Sequence, residues 1–173
     1  MSQRVVIFDG PDMCGKTNIA KALSGQLDIP YFKNIDEHKY FLTDKAYFCN
    51  AIRYVDTYFT SYLQASGASV ILDRAWPSEW IYSQALNRCT FMDVINELDT
   101  KHAAMGTKIV IPFRTDYSMV KDDYDVINEN IQKIHDLYMA FAEWSKCDTL
   151  LINVDDENLD RELAEINAFL GTE

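Results

Sequence analysis

The stretch Gly10-Pro11-Asp12-Met13-Cys14-Gly15-Lys16-Thr17 has the spacing G-x-x-x-x-G-K-[ST], after a strand-like segment and ahead of an amphipathic one. Glycines let a backbone curl so that its amides face an anion at a helix N-terminus. A lysine adds a point charge for the β- and γ-phosphates, and a hydroxyl can ligate Mg²⁺. Gly10, Pro11, Asp12, Met13, Cys14, Gly15, Lys16 and Thr17 are therefore expected to cradle a nucleoside triphosphate such as ATP, with Lys16 as the cation and Thr17 as a metal ligand. A turn that merely caps a helix is the plainer alternative; strand, loop, Lys-Thr pair and helix in succession argue against it. Cys14 lies where a helix N-terminus and Lys16 can activate a thiol, but a small residue that simply fits the loop is the favoured reading.

A second chemical pair follows the apolar run Val70-Ile71-Leu72, in the form Asp73-Arg74. Asp73 is expected to hold Mg²⁺, directly or through water, and the planar fork of Arg74 suits a second phosphate. A solvated surface pair is the alternative. Farther on, the polar segment 114–124 is expected to form a short lid, with Arg114 and Lys121 setting charge against a migrating phosphoryl group and excluding water. A plain connector has similar composition, and the two readings stay open.

These residues need elements to position them. Runs rich in β-branched residues at 4–8, 69–72, 108–111 and 149–154 read as buried parallel strands, with a weaker one at 29–35 where Pro30 must stand at the start or edge. Helical periodicity covers 16–27, about 44–65, 78–87, 91–104, 125–146 and 157–170. Strand and helix alternate, so the expected fold is α/β: a doubly wound, five-stranded parallel sheet of the P-loop NTPase type with helices on both faces. In such sheets ligands bind beyond the carboxyl ends of the strands, where both chemical segments fall. With no internal repeat and no Pro/Gly/Ser-rich linker, a single domain over 1–173 is expected.

Composition bounds the partners. The chain of 173 residues is 48% hydrophobic and 25% charged, which fits a folded domain and not a disordered one. No apolar run approaches the ~18 residues of a membrane helix, and the start of the sequence enters a strand without a basic region or cleavage site; a cytoplasmic protein is expected. Against 16 basic residues stand 27 acidic ones, and the net charge of -11 disfavours a DNA-binding surface while leaving room for a local basic pocket. Cys14, Cys49, Cys89 and Cys147, like His38, His102 and His135, are too scattered for a zinc site, so reduced thiols are expected.

Beyond these readings, the sequence resembles the thymidylate kinase and deoxynucleoside kinase group over most of its length. Members commonly open with an acid, Gly, any residue, an acid and Gly-Lys-Thr, and here Asp9-Gly10-Pro11-Asp12 precedes Gly15-Lys16-Thr17. The resemblance gives Asp12 the role of acceptor ligand near the sugar 3′-hydroxyl and phosphate, and Arg74 that of holding the acceptor phosphate. Tyr82, nine residues beyond Asp73, has the spacing of a tyrosine that packs on the deoxyribose. Phe48-Cys49-Asn50-Ala51-Ile52-Arg53 resembles a Phe-Ala-x-x-Arg stretch, implying that Arg53 contacts a pyrimidine base and Phe48 stacks on it.

Three departures accompany it. Phe48 takes the aromatic role only with a shift of one residue, Glu79 replaces an amide that often helps read thymine, and the Arg-Glu-Pro motif after the second strand is absent, leaving Lys33 as its phosphate-binding substitute. Asp73, Arg74, Ser78, Glu79 and Tyr82 resemble the pattern of phage-type members.

The resemblance implies an ATP- and Mg²⁺-dependent kinase that phosphorylates a pyrimidine deoxynucleoside monophosphate, dTMP-like or carrying a modified base, with Lys16, Asp12, Arg74 and Arg114 at the reacting groups. Three alternatives are a nucleoside kinase using Asp36 or Glu37 as base, a kinase of hydroxymethylated pyrimidine in DNA, and a non-catalytic nucleotide-binding module. The module is disfavoured because Ile111-Pro112-Phe113-Arg114 stands where a guanine-reading Asn-Lys-x-Asp is expected. An aromatic stripe of Tyr54, Tyr58, Phe59 and Tyr62 is ordinarily core; the family's use of this helix in dimers implies a homodimer.

Overall fold

The computed structural model describes residues 3–33, 52–88 and 90–172. The proposed base contacts Phe48 and Arg53 fall outside this set, Arg53 in its side chain only, as do Asp36, Glu37, Cys49 and Cys89. Strands β1 (Val5–Phe8), β2 (Tyr31–Lys33), β3 (Val70–Asp73), β4 (Lys108–Phe113) and β5 (Asp148–Asn153) form one parallel sheet in the order β2-β3-β1-β4-β5. The helices are α1 (Lys16–Leu27), α2 (Thr57–Ser66), α3 (Trp76–Ala85), α4 (Met92–Ala104), α5 (Asp125–Trp144) and α6 (Leu159–Leu170). A π-helical turn at Ile52–Asp56 runs into α2.

The period of two along each strand sorts its side chains between two cores. Val5 and Ile7 of β1, with Val70, Leu72, Ile109 and Ile111, pack beneath α2 to α5; Val6 and Phe8, with Ile71, Val110 and Ile152, pack against α1 and α6. All of β1 is thereby buried, and the loop that leaves it starts from a fixed point. On the first face α3 and α5 meet through aromatics: Trp76 lies edge-on to Phe141 at 5.5 Å, and Trp80 stacks on Trp144 at 5.6 Å.

α1 has the expected bounds, and Pro30 stands just ahead of β2, where its carbonyl still accepts from Ile71 N at 2.9 Å. Other boundaries move for reasons that are not local in sequence. β4 runs through Pro112 to Phe113 because proline's missing N–H falls on the side facing β1, which ends at Phe8, opposite Val110; Val110 still accepts from Asp9 N at 3.0 Å. α3 begins at Trp76, two residues before the periodicity suggests, because a carboxylate from elsewhere in the chain caps it. α6 starts later, at Leu159, because the Asn158 side chain accepts from Arg161 N at 3.1 Å and caps it there.

Candidate active site

The loop between β1 and α1 is built by steric need. A Cβ on Gly10 would lie 2.7 Å from the carbonyl oxygen of Pro112, so only glycine lets the chain pass β4. Gly15 caps α1 at φ 67, and Met13 takes a left-handed φ of 63, so the loop curls around the N-terminus of α1. At the helix end, Lys16 is buried and donates to Pro11 O at 2.5 Å, while Thr17 Oγ1 donates to Asp73 Oδ2 at 2.6 Å. Burial pushes the Lys16 ammonium down, with Arg74 adding to the effect and Asp12 opposing it.

Asp9, the first residue after β1, organises the Arg74 side of the site. Fully buried, it accepts from Gly10 N and from the hydroxyls of Ser78 (2.6 Å) and Tyr138 (2.5 Å) through Oδ1, and from Ala75 N and Ser78 N (3.1 Å each) through Oδ2. It thus caps α3 and fixes the surroundings of Arg74, whose φ of 66 turns its guanidinium back over the loop. Nη1 of Arg74 donates to Ser78 Oγ at 2.9 Å and Gly10 O at 3.3 Å; Nη2 pairs with Asp12 Oδ1. Tyr82 donates to the other Asp12 oxygen at 2.6 Å and lies under the guanidinium, 5.2 Å from ring centroid to Cζ. Burial works against the Arg74 charge, but Asp12 first, then Tyr82, Tyr138 and Asp9, hold its pKa well above the usual range.

Asp12, Lys16, Thr17, Lys33, Asp73 and Arg74 all line one cleft of about 220 Å³, together with Met13, Cys14, Gly15 and Asn18. Two anion-binding regions suggested by separate sequence segments therefore share a single space. Lys33 enters from β2, opposite Asp73 in register. Arg114 reaches the loop from the end of β4, donating through Nε to Met13 O at 3.0 Å and pairing with Glu157 at 2.6 Å. Lys121 does not join it: its side chain is 77% exposed, 3.8 Å from Asp125, and is not among the cleft's lining. Cys14 is buried, its Sγ 3.7 Å from Tyr117 OH, and burial pushes the thiol up despite nearby Lys16, which fits the packing role.

Glu79 on α3 is buried with neither carboxyl oxygen hydrogen-bonded among the described residues. Burial pushes its pKa up to about 8, with Arg88 opposing and Asp56 adding, so the fold favours its neutral, hydrogen-bond-donating form.

Mg²⁺ at a nucleotide is held by one or two protein oxygens plus phosphate and water. The hard oxygens of Thr17 and Asp73, brought together at the end of β3, fit that requirement. Among the described residues no group of three or more His, Cys, Asp and Glu could cage a metal alone. Tyr31 donates to Asp73 Oδ2 at 2.7 Å, so the carboxylate is oriented from β2 as well. Sequence reasoning missed Tyr31 and Tyr138, which no motif marks, and quoted Asp9 only as part of a pattern.

The sheet order, the loop after β1 and the aspartate closing β3 define a P-loop nucleotide-binding fold. More narrowly, the chain has the thymidylate and deoxynucleoside kinase-like fold. It is similar to thymidylate kinase from Ehrlichia chaffeensis at 14% identity and a TM-score of 0.69, covering 98% of this chain and 100% of that one. The YorR protein from Bacillus subtilis, solved in complex with phosphorylated GDP, matches at 18% identity and 0.68, covering 96% and 95%. Deoxyadenosine kinase from M. mycoides, solved with the products dCMP and dCDP, matches at 18% and 0.62, covering 98% and 100%. No family model matches the sequence, and no curated protein does. Among the described residues no helix is long and apolar enough to cross a membrane.

Proposed function

We propose that the protein is a kinase that transfers the γ-phosphoryl group of ATP to the 5′-phosphate of a pyrimidine deoxynucleoside monophosphate. The observation that carries this reading is the convergence of Lys16, Lys33 and Arg74 on one cleft, more cations than a single triphosphate tail requires, with Arg74 presenting the planar fork suited to a second phosphate. In the reaction an oxygen of the acceptor phosphate forms the bond to the γ-phosphorus as the bond to the β–γ bridging oxygen breaks, releasing ADP. Lys16 and the loop amides hold the donor, Arg74 and Lys33 orient the acceptor, Arg114 steadies the loop, and no covalent enzyme intermediate is needed. Mg²⁺, held by Thr17 and Asp73, would neutralise charge on the β- and γ-oxygens. Tyr82 flanks the sugar, and protonated Glu79 offers a hydrogen bond to an oxygen of the base.

A nucleoside acceptor is the second reading, favoured by the resemblance in fold to deoxyadenosine kinase. It needs a carboxylate base at the end of β2, and there Lys33 stands in the cleft. The net charge of -11 weighs against an acceptor within DNA. A homodimer belongs to the same proposal: Tyr54, Tyr58 and Tyr62 are 68%, 78% and 52% exposed, and Phe59 stacks between Phe32 and Tyr62. Light scattering at twice the chain mass is the expected result.

ADP release measured against a panel of nucleosides, monophosphates and oligonucleotides tests the acceptor. Turnover with a pyrimidine monophosphate is expected, and none with any acceptor would end the kinase reading. Arg74→Ala is expected to lower kcat/KM for the monophosphate by about 100-fold or more while ATP affinity stays nearly constant.

A further inference from the structure

Three consecutive loop residues are each held by a cation, two of them, Lys16 and Arg74, proposed above to meet phosphates and the third, Arg114, proposed to steady the loop. The carbonyl of Pro11 accepts from Lys16 Nζ, the Asp12 carboxylate pairs with Arg74 Nη2, and the carbonyl of Met13 accepts from Arg114 Nε. Each cation is largely buried, and a buried cation requires an anion or a carbonyl dipole against it. The loop supplies all three, with Met13 in a left-handed conformation that a residue with a Cβ adopts at a cost.

The contacts at Arg74 divide by edge. Nη1 is fixed to Ser78 Oγ and Gly10 O; Nη2 is the edge that meets Asp12 and Tyr82. A phosphate that engages the fork through both edges must share Nη2 with a carboxylate of the same sign, in a site too little solvated to screen the repulsion.

We infer that Asp12 is an internal substitute for the acceptor phosphate, so that a monophosphate binds by exchanging with Asp12 on Arg74 and thereby releases the loop segment that also engages Lys16. The inference rests on the kinase reading above and deepens it. A nucleoside brings no anion to Arg74, leaves the Asp12 pair intact, and does not alter the segment that ends at Lys16. The exchange therefore separates monophosphates from nucleosides and couples the acceptor to ATP, because one tripeptide is held from both sides. Coupling of this kind is reciprocal: ATP, by drawing Lys16 from Pro11, eases the departure of Asp12 from Arg74.

Calorimetric titration of the full chain with AMP-PNP and Mg²⁺, alone and with saturating dTMP or thymidine, tests this. dTMP is expected to tighten AMP-PNP binding about 5-fold or more, the lower end of ordinary coupling between sites, and thymidine to leave it unchanged. In Asp12→Asn, which keeps the volume and removes the charge, that tightening is expected to fall to less than about 2-fold. The affinity ratio of dTMP over thymidine rises in the same variant, because both ligands lose the same sugar contact and only dTMP gains an uncontested Arg74. Tyr82→Phe removes the phenol that holds the other Asp12 oxygen, moves the ratio in the same direction by less, and provides the same test should Asp12→Asn not fold. Tightening undiminished in Asp12→Asn, equal tightening by thymidine, or a ratio that stays or falls overturns the exchange while the kinase reading stands. Absence of dTMP binding to the wild-type chain, together with no turnover of any monophosphate, overturns both.

Discussion

Two carboxyl groups lie buried along α3, at 0% exposure for Asp9 and 2% for Glu79, and they are opposites in every other respect. Asp9 accepts from two backbone amides of the α3 N-terminus, from Gly10 N and from the hydroxyls of Ser78 and Tyr138, and so joins the phosphate loop, α3 and α5 at one point. Glu79 has no hydrogen-bond partner among the described residues for either oxygen. Burial alone therefore does not assign a role. A carboxyl with its hydrogen bonds filled is an anchor, whereas one left unfilled among the described residues carries a cost to folding.

Substitution at the anchor should have the largest effect. Asp9→Ala leaves Ala75 N, Ser78 N and the Tyr138 hydroxyl without their acceptor and removes a negative charge 3.6 Å from Arg74, and a loss of about 3–5 kcal/mol in urea unfolding is expected. A loss of less than about 1 kcal/mol would erase the contrast between the two acids.

Glu79→Gln acts in the opposite sense and through pH. The folded value of about 8 lies above the ordinary 4.5, so the Glu79 contribution to stability is whole below pH 4.5 and is lost progressively as pH rises to about 8. Across that window wild-type stability should fall relative to Glu79→Gln by up to a few kcal/mol, and parallel curves for the two proteins would show that Glu79 ionises in the fold as it does in the unfolded chain. The smallest effect is expected from Tyr138→Phe, which removes one of the hydrogen bonds to Asp9 and should cost about 1 kcal/mol. An effect as large as that of Asp9→Ala would place the anchor on the tyrosine instead.

What could be read from sequence follows the range of the interactions involved. The Gly10 to Thr17 loop and the Asp73-Arg74 pair were legible because each is a contiguous stretch after an apolar strand, and the fold brings them to one cleft. The order of strands and helices was legible from periodicity, which reports burial on both faces of the sheet. Residues that act across the fold were not. Tyr138 reaches Asp9 from 129 positions away, and Tyr31 reaches Asp73 across 42, so no local pattern marks either. The start of α3 lies two residues ahead of where periodicity places it for the same reason, since its cap is Asp9 and not a neighbour in the chain. Lys121 shows the converse: charge within a polar segment indicates a cation without indicating its direction, and of the two lid candidates only Arg114 meets the loop.

The aromatic contact between α3 and α5 has a practical consequence. All three tryptophans of the chain, Trp76, Trp80 and Trp144, sit in that contact, two of them stacked face to face, and α3 also carries Ser78, Glu79 and Tyr82. Emission excited at wavelengths that tyrosine does not absorb therefore comes from these three tryptophans, in the half of the molecule proposed to take the acceptor, without any attached dye. A change in its intensity or wavelength on mixing reports that half alone, giving a stopped-flow signal in which events at the donor side stay dark unless they are transmitted.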